Sequence, residues 1–357
     1  MKEFGCRPFA NKIGILVAQL GTPDAPTASA LRRYLKEFLA DPRVIETNRL
    51  LWWIILHGIV LVTRPSRSAK LYKRVWTAQG SPLLLTTEAQ TRELQRELGS
   101  EVQVEFGMRY GKPLLTTALD RLCEAGCTKI LLVPMYPQYS APTSASTYDM
   151  VFSHILRRRF VPTLQVLDAY FSDKLYLQSL GTVINEALAK LPKAPERLIL
   201  SYHGIPQAYA RSGDPYCCQC VETTRAVRPF IKLPPEQIMH CFQSRFGRDP
   251  WLEPYTDQTI ERLAREGVKR IAVAAPGFTT DCLETIDELG HEGRKLFQKH
   301  GGEELHLIPC LNQHPAWIKA LGSLVNRALT PWRGESCIDP VECKCPWGES
   351  HKQAVRR

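Results

Sequence analysis

The sequence predicts an α/β protein with two Rossmann-like halves, each a parallel sheet flanked by helices. Short apolar runs recur along the chain, helical patterns lie between them, and one helix–turn–strand unit occurs twice. Strands that alternate with helices indicate parallel sheets covered on both faces. With 357 residues, the chain is long enough for two domains of about 100 to 200 residues. An apolar content of 44% is typical of a globular protein and excludes a disordered chain.

The first predicted unit is a strand, IGILVAQL at 13–20, then a Gly-Thr-Pro turn and a helix within TASALRRYLKEFLADP. The longest apolar run follows, LLWWIILHGIVLV at 50–62. Since a membrane-spanning helix needs about 20 residues, we expect this run to be buried or to form an apolar lip or interfacial segment. Cations follow in TRPSRSAKLYKR at 63–74, and such a lip would suit a large, flat, amphipathic anion.

Later strands are predicted at VQVEFGMRY, KILLVPMYP, RLILSYHG and RIAVAAPGF, with helices at EAQTRELQREL, LLTTALDRLCEAG and DQTIERLAREG. Segments 115–137 and 255–278 both show a helix, a Gly turn, a basic residue, a strand and a proline. This repetition predicts two halves, 1–165 with a lip at about 50–81 and 166–305. A C-terminal helix in 306–330, around 315–329, is expected to pack back on the first half, and 331–357 is a cysteine-containing tail.

The net charge of +10, from 46 Lys plus Arg and 36 Asp plus Glu, indicates an anionic partner. Zinc-finger spacing and RNA-binding aromatic signatures are absent from the sequence, so we expect no nucleic-acid partner. The start, MKEFGCRPFANK, lacks the apolar core of a secretory signal, which predicts a cytoplasmic protein. There the twelve cysteines would mostly be reduced thiols.

Ligands of such folds bind beyond the carboxyl ends of the strands, which directs attention to His203 in SYHGIPQAYARSGDPY. The following Gly and Pro place it in a rigid loop at a ligand-facing position. A single histidine is more often structural, so its position alone does not decide between the two roles.

A row of carboxylates, Glu284, Glu288 and Glu292, follows the last predicted strand at four-residue spacing. On a helix these would share one face, and Leu283, Ile286 and Leu289 would lie mostly on another. Spacing alone favours a solvated acidic face. The alternative is a path for a hard or borderline divalent cation, with Asp281, Asp287 and His291 as further ligands.

Two more strand ends carry candidate ligand-binding residues. FGMRYGKP contributes Arg109 and Tyr110, and PMYPQYSAPTSAS is a loop rich in Tyr, Ser and Thr. Aromatic rings can sandwich a flat apolar ligand, while Arg or Ser can bind its carboxylates.

Taken together, these segments resemble the ferrochelatase family, which inserts ferrous iron into protoporphyrin IX, the last step of haem synthesis. The matching segments are GILVAQLGTPDAPTASALRRYLKEFLADPRVIE, GSPL, FGMRYGKP, YPQYS, SYHGIP, GDPY, FQSRFGRDPWLEP, PGFTTDCLETIDEL and LN at 311. They cover nearly the whole chain apart from its ends. The resemblance, to the bacterial type, implies a lyase with the chelatase-like fold that releases two protons per haem formed.

Other functions remain as alternatives. They are a related tetrapyrrole chelatase that uses cobalt or coproporphyrin, and a haem or metal carrier without turnover. A carrier needs no base beside its metal ligand, so the pairing of His203 with Glu284 favours an enzyme. A nucleotide-binding enzyme is disfavoured because LGTP lacks the dinucleotide-binding and P-loop glycine patterns.

The resemblance implies that His203 and Glu284 are catalytic and metal-binding, with Glu288 and Glu292 continuing a cation path. Which of His203 and Glu284 is the base and which presents the metal stays open. The implied lip spans Trp52 to Tyr72. The implied porphyrin-binding residues are Leu20, Arg64, Arg67, Tyr72, Ser81, Arg109, Tyr110 and Tyr136. Leu20 stands where relatives have Tyr or Met, and a leucine cannot ligate iron.

The partners implied are protoporphyrin IX and ferrous iron, the latter as substrate, with no cofactor required. Binding that saddles the macrocycle would expose its nitrogen lone pairs, and an imidazole and a carboxylate could take the two protons. A peripheral contact of the lip with the inner membrane surface and the oligomeric state stay open.

Two groups of cysteines could bind zinc or an iron–sulfur cluster: Cys217, Cys218 and Cys220, and the tail residues Cys337, Cys343 and Cys345. Some members of the family hold a [2Fe-2S] cluster through three tail cysteines and one mid-chain cysteine. Here the tail spacing differs, and Ser179 occupies the mid-chain position. We therefore expect free thiols, with the cluster as the alternative, and Cys282 as a filler of the strand-end turn.

Overall fold

The computed structural model describes residues 12–247 and 249–333, which contain two four-stranded parallel sheets. The first sheet consists of β1 (Lys12–Thr22), β2 (Val102–Gly111), β3 (Cys127–Pro134) and β4 (Thr163–Val166). The second consists of β5 (Arg197–His203), β6 (Ile238–Gln243), β7 (Arg270–Ala274) and β8 (Glu304–Leu307). Their orders, β2-β1-β3-β4 and β6-β5-β7-β8, are the same topology. The predicted α/β class with two related parallel halves is therefore confirmed.

Helices cover these sheets and connect their strands, as parallel pairing requires. They are α1 (Ala28–Ala40), α2 (Arg49–Ile55), α3 (Leu61–Val75), α4 (Pro82–Leu98), α5 (Leu115–Glu124), α6 (Ser146–Ile155), α7 (Lys174–Ala189), α8 (Gln207–Arg211), α9 (Tyr216–Val227), α10 (Thr256–Arg265), α11 (Gly293–Lys299) and α12 (Pro315–Arg333). Short 3₁₀ turns lie at Arg228–Phe230 and Pro235–Gln237, and π-helical segments at Leu56–Val60, Ala141–Ala145 and Glu284–Glu292.

The strands β4, β6 and β8 were not predicted, and all three lie at sheet edges. They contain four to six residues and carry polar side chains within the run, as in TLQV, IMHCFQ and ELHL. The central strand β1 has a longer apolar run, and its residues from 13 to 19 are all buried. An apolar run therefore locates a sheet's centre better than its edge.

The connection between the sheets runs from Val166 through α7 to Arg197. The final helix, α12, packs against α4 of the first half and against α7, with Trp317 fully buried. The segment 306–330 is not helical throughout, because β8 ends at Leu307 and α12 begins at Pro315. The division into domains near 165 stays a prediction.

The apolar run at 50–62 adopts the form of a lip rather than a fully buried element. Leu56 and Leu61 are buried in a cluster with residues of helix α1, here called the lip cluster, which anchors the segment. The opposite face is more than half exposed at Leu50, Leu51, Trp53, Ile54, Ile59 and Val62. Within the described ranges, no helix has both the length and the apolar character needed to cross a bilayer.

The carboxyl ends of β1 and β2 approach each other closely beside this lip. Gly21 has φ +120°, and a Cβ there would lie 1.8 Å from the carbonyl oxygen of Tyr110. Only glycine tolerates both the backbone conformation and the contact. The LGTP turn thus fixes the end of β1, where Leu20 packs beside the lip.

Candidate active site

His203 is the last residue of β5, so its imidazole stands at the ligand-facing edge of the second sheet. Its Nδ1 lies 2.7 Å from the carbonyl oxygen of Gly204. Because a carbonyl oxygen only accepts hydrogen bonds, Nδ1 carries the proton in the neutral imidazole, and Nε2 then keeps its lone pair. The local geometry therefore leaves one ring nitrogen free to accept a proton or bind a metal.

The segment with the carboxylate row is a π-helix, Glu284–Glu292, rather than the α-helix that its spacing suggested. Such segments are rare and often occur at functional sites. The expected single apolar face is also divided. Leu283 packs against the lip cluster, whereas Leu289 is buried in the core of the second half. The division follows from the position of this helix between the two halves.

Glu284 has protonated hydroxyl and thiol groups around it from both halves. Burial raises the pKa of Tyr34 and of Tyr72 well above the usual tyrosine value, and the charge of Glu284 contributes to both shifts. Burial likewise raises the pKa of the Cys282 thiol, and Glu284 raises it further. Tyr34 and Tyr72 lie on α1 and α3, so the first half supplies part of this carboxylate's environment.

Glu288 is held by a residue that the sequence did not single out, Ser244. The Ser244 Oγ donates to Glu288 Oε2 at 2.6 Å, from a left-handed backbone with φ 66°. Burial raises the pKa of Glu288, while Ser244 and the nearby His203 oppose the shift and Glu284 adds to it. Gln243 donates to the Glu284 carbonyl oxygen at 3.3 Å, so the end of β6 holds the π-helix in two places.

Glu292, the outermost carboxylate of the row, is exposed and paired with two cations. Its Oε1 lies 2.5 Å from Arg74 Nη1 and 3.0 Å from Lys295 Nζ. The hydrogen bonds from Arg74 and Lys295 lower the pKa of Glu292. Across the described chain, no three or more His, Cys, Asp and Glu side chains are arranged to hold a metal ion. The row is therefore not a preformed metal centre.

Arg109 and Tyr110 belong to a buried polar network around Asp41. The Arg109 guanidinium pairs with the Asp41 carboxylate, and its Nε donates to Ser146 Oγ at 2.7 Å. The Tyr110 hydroxyl donates to Asp41 Oδ2 at 2.8 Å, and its side chain is fully buried. A porphyrin carboxylate would have to compete with Asp41 for both groups, so their assignment to the porphyrin stays a prediction.

Four other predicted porphyrin-binding residues lie on the lip and beside it. Arg64 and Arg67 are exposed on α3, and the Arg64 guanidinium lies 5.9 Å from the ring centre of Phe246 in the second half. Tyr72 and Ser81 are buried, and Ser81 Oγ lies 2.8 Å from Thr22 Oγ1. The arginines can therefore reach a ligand directly, whereas Tyr72 and Ser81 are packed within the wall.

Leu20 and Tyr136 are the two remaining predicted contacts. Leu20 is partly buried against the lip cluster, as are Leu283 and Trp52. Tyr136 follows β3, and burial raises the pKa of its hydroxyl. Both stand at carboxyl ends of first-half strands, where the sequence placed them.

The cysteines that the structure describes do not converge on one point. On α9, Cys220 is buried and Cys218 is exposed, so their thiols face different environments. Ser179 is buried, and its Oγ lies 2.7 Å from the carbonyl oxygen of Leu175 and 2.9 Å from that of Ala316, which share its single O–H donor. The predicted tail ligands Cys337, Cys343 and Cys345 lie outside the described residues.

Comparison with known proteins adds family information to this geometry. A family model described as Ferrochelatase matches residues 12–329. A protein named Ferrochelatase from Methylibium petroleiphilum is 47% identical over 335 residues, which cover 93% of this chain and 92% of the relative. The Ferrochelatase of Rhodopseudomonas palustris is 46% identical and covers 91% of this chain and 95% of its own. That of Marinobacter nauticus is 45% identical over 350 residues, with coverages of 97% and 94%.

Solved structures support the fold independently. SirB from Bacillus subtilis, determined with Fe3+, superimposes with a TM-score of 0.56 over 92% of this chain and 100% of its own, at 13% identity. A sirohydrochlorin chelatase SirB in complex with cobalt gives a TM-score of 0.54 over 90% of this chain and 98% of its own, at 12% identity. At this level of identity the similarity concerns the fold alone.

Proposed function

The chain belongs to the ferrochelatase family, and we propose that it inserts ferrous iron into protoporphyrin IX between His203 and Glu284, releasing two protons. Family membership makes it a lyase that inserts iron into a porphyrin. The assignment of residues rests on one observation: Gln243, which pairs with His203 in the β5–β6 register, donates to the Glu284 carbonyl oxygen at 3.3 Å and so connects the strand-end histidine to the row.

His203 is suited to accept the pyrrole protons. Its Nδ1 is occupied by the Gly204 carbonyl oxygen, and Nε2 carries the available lone pair. An imidazole held in position with an available lone pair is the most common general base in enzymes. With His203 as the base, the two N–H bonds of the porphyrin break as iron–nitrogen bonds form, and the protons leave by way of the imidazole.

Glu284 is suited to present the iron. Carboxylate oxygens bind divalent cations, and the surrounding groups, Tyr34, Tyr72 and Cys282, remain protonated because burial raises their pKa. They can stabilise the carboxylate without neutralising it with a formal positive charge. Glu288 and Glu292 then form the approach from solvent.

Helix α3 is suited to receive the anionic edge of the porphyrin. Arg64 and Arg67 are exposed and project from the same helix, next to the apolar outer face of the lip. A guanidinium group binds a carboxylate with two parallel hydrogen bonds, which fits propionate side chains. We propose that the protein is cytoplasmic and that the same apolar face makes a peripheral contact with the inner membrane surface. The reaction requires no cofactor, since iron is a substrate.

The test is anaerobic incubation of the purified protein with protoporphyrin IX and ferrous iron, followed by the loss of the metal-free porphyrin spectrum. We expect enzyme-dependent formation of haem. Parallel reactions with cobalt and with coproporphyrin measure selectivity, and faster turnover of either would replace the proposed substrate pair. Tight porphyrin binding without any insertion would instead indicate a carrier.

A further inference from the structure

Helix α3 carries a cation, Arg74, that connects it to the π-helix of the opposite half. Arg74 lies two residues beyond Tyr72 and seven beyond Arg67 on the same helix, which also carries the proposed propionate contacts. Its Nη1 lies 2.5 Å from Glu292 Oε1, and its Nε lies 3.3 Å from Asp287 Oδ1. One guanidinium therefore joins the porphyrin-binding helix to two carboxylates of the metal approach.

The pairing with Asp287 distinguishes this contact from an ordinary surface ion pair. The Asp287 side chain is 5% exposed, and its Oδ1 makes no hydrogen bond with any residue in 12–247 or 249–333. Burial raises the pKa of Asp287, and Arg74 opposes that shift. Withdrawing Arg74 would leave the buried Asp287 carboxylate without its charged partner, which costs free energy. The Asp287 carboxylate therefore stabilises Arg74 in its observed position.

Lys295 offers a natural comparison. It also binds Glu292 Oε1, at 3.0 Å, but it lies on α11 within the second half. Lys295 would follow any movement of the π-helix, whereas Arg74 follows movement of the lip. Arg74 and Lys295 therefore bind the same carboxylate from different elements, α3 and α11.

We propose that Arg74 is a positioning residue that keeps the outer carboxylates closed to cations until porphyrin binds along α3. The inference rests on the proposed function, because it assumes that α3 receives the porphyrin. The guanidinium occupies the Glu292 oxygen that an arriving divalent cation needs. A shift of α3 toward a bound porphyrin withdraws Arg74, which removes the charge beside Asp287 and leaves Glu292 paired with Lys295 alone among the described residues.

Coupling of this kind is reciprocal and has a measurable size. If porphyrin raises the affinity for a cation by some factor, the cation raises the affinity for porphyrin by the same factor. Coupled sites commonly show about 5-fold to 150-fold effects. We expect at least about 5-fold here.

The test measures binding of Co2+ by calorimetry to the full-length chain, with and without tin protoporphyrin, whose occupied centre excludes insertion. In the wild type, the porphyrin should tighten Co2+ binding at least about 5-fold. Arg74→Gln should bind Co2+ more tightly without porphyrin and gain less than twofold when it is added. Lys295→Gln, which removes a charge from the same carboxylate, should keep the porphyrin effect.

Equal behaviour of the two variants would overturn the proposal, since the effect would then be one of charge alone. Absence of any porphyrin effect in the wild type would overturn it as well. Thermal unfolding of both variants checks their fold. Because no turnover is involved, failure here leaves haem formation intact, while failure of the proposed function appears as absent insertion by the wild type.

Discussion

Ser244 offers a direct test of how the carboxylate row is held. Its Oγ donates to Glu288 Oε2 at 2.6 Å, and its φ of 66° is a conformation that only glycine adopts without cost. Ser244→Ala removes the hydrogen bond and keeps the strain. Ser244→Gly removes both, so the pair of variants separates the two contributions.

The expected magnitude follows from the type of contact. A hydrogen bond to a charged group is worth about 1.5–3 kcal/mol, and relieving a left-handed residue returns about 1–2 kcal/mol. At pH 8 we expect Ser244→Ala to lose about 1.5–3 kcal/mol of unfolding free energy and Ser244→Gly to lose less. Loss of this hydrogen bond raises the pKa of Glu288 further, because Ser244 favours the ionised form.

The sign of the pH dependence is fixed by the direction of the shift. Burial raises the pKa of Glu288 above its unfolded value, so the folded state binds the proton more tightly. The stability that this provides is present below the unfolded pKa and is lost as pH rises through the folded pKa. Ser244 favours the ionised form, so its removal should cost less at pH 5 than at pH 8.

Urea unfolding of the wild type and both variants at pH 5 and pH 8 gives the required free energies. A loss for Ser244→Ala that is the same at both pH values would contradict a role through Glu288 ionisation. Equal losses for the alanine and glycine variants would show that the left-handed backbone carries no strain.

Three further outcomes are expected. Gly21→Ala should lose about 2–5 kcal/mol, since a Cβ would lie 1.8 Å from the Tyr110 carbonyl oxygen, and an unchanged urea midpoint would refute this. Asp41→Asn should lose about 3–5 kcal/mol by leaving the partly buried Arg109 without its charged partner. The double variant with Arg109→Gln should recover part of this loss, and strict additivity in urea unfolding would exclude coupling. The Trp53 side chain is 59% exposed, so Trp53→Ser should change the free energy of unfolding by less than about 0.5 kcal/mol. It should nevertheless weaken sedimentation of the protein with anionic vesicles. Undiminished sedimentation would show that the lip does not contact the membrane.

The central strands of both sheets could be predicted because burial on both faces produces continuous apolar runs. The edge strand β6, IMHCFQ, is short and interrupted by His240, so it gave no comparable signal. Because β6 was not predicted, Gln243 and Ser244 were not recognised as residues at the carboxyl end of a strand. The same reasoning had located His203 at the end of β5. A polar pair after a buried run is the signal that could have found them.

The row of carboxylates was predicted, but its form was not. A spacing of four residues fits the adjacent turns of an α-helix, and periodicity alone could not identify the π-helix. The partners of the row were invisible for another reason: Arg74 and Glu292 are 218 positions apart in sequence. Asp41, which pairs with Arg109 across 68 positions, illustrates the same limit.

Iron is proposed to enter the porphyrin between His203 and Glu284. The most direct measurement is the anaerobic single-turnover rate of haem formation by His203→Ala and Glu284→Ala, with porphyrin binding measured on the same samples. The account predicts folded variants that bind porphyrin and insert iron at least about 100-fold more slowly than the wild type. A rate within tenfold of the wild type in either variant, with porphyrin bound, would contradict that residue's role.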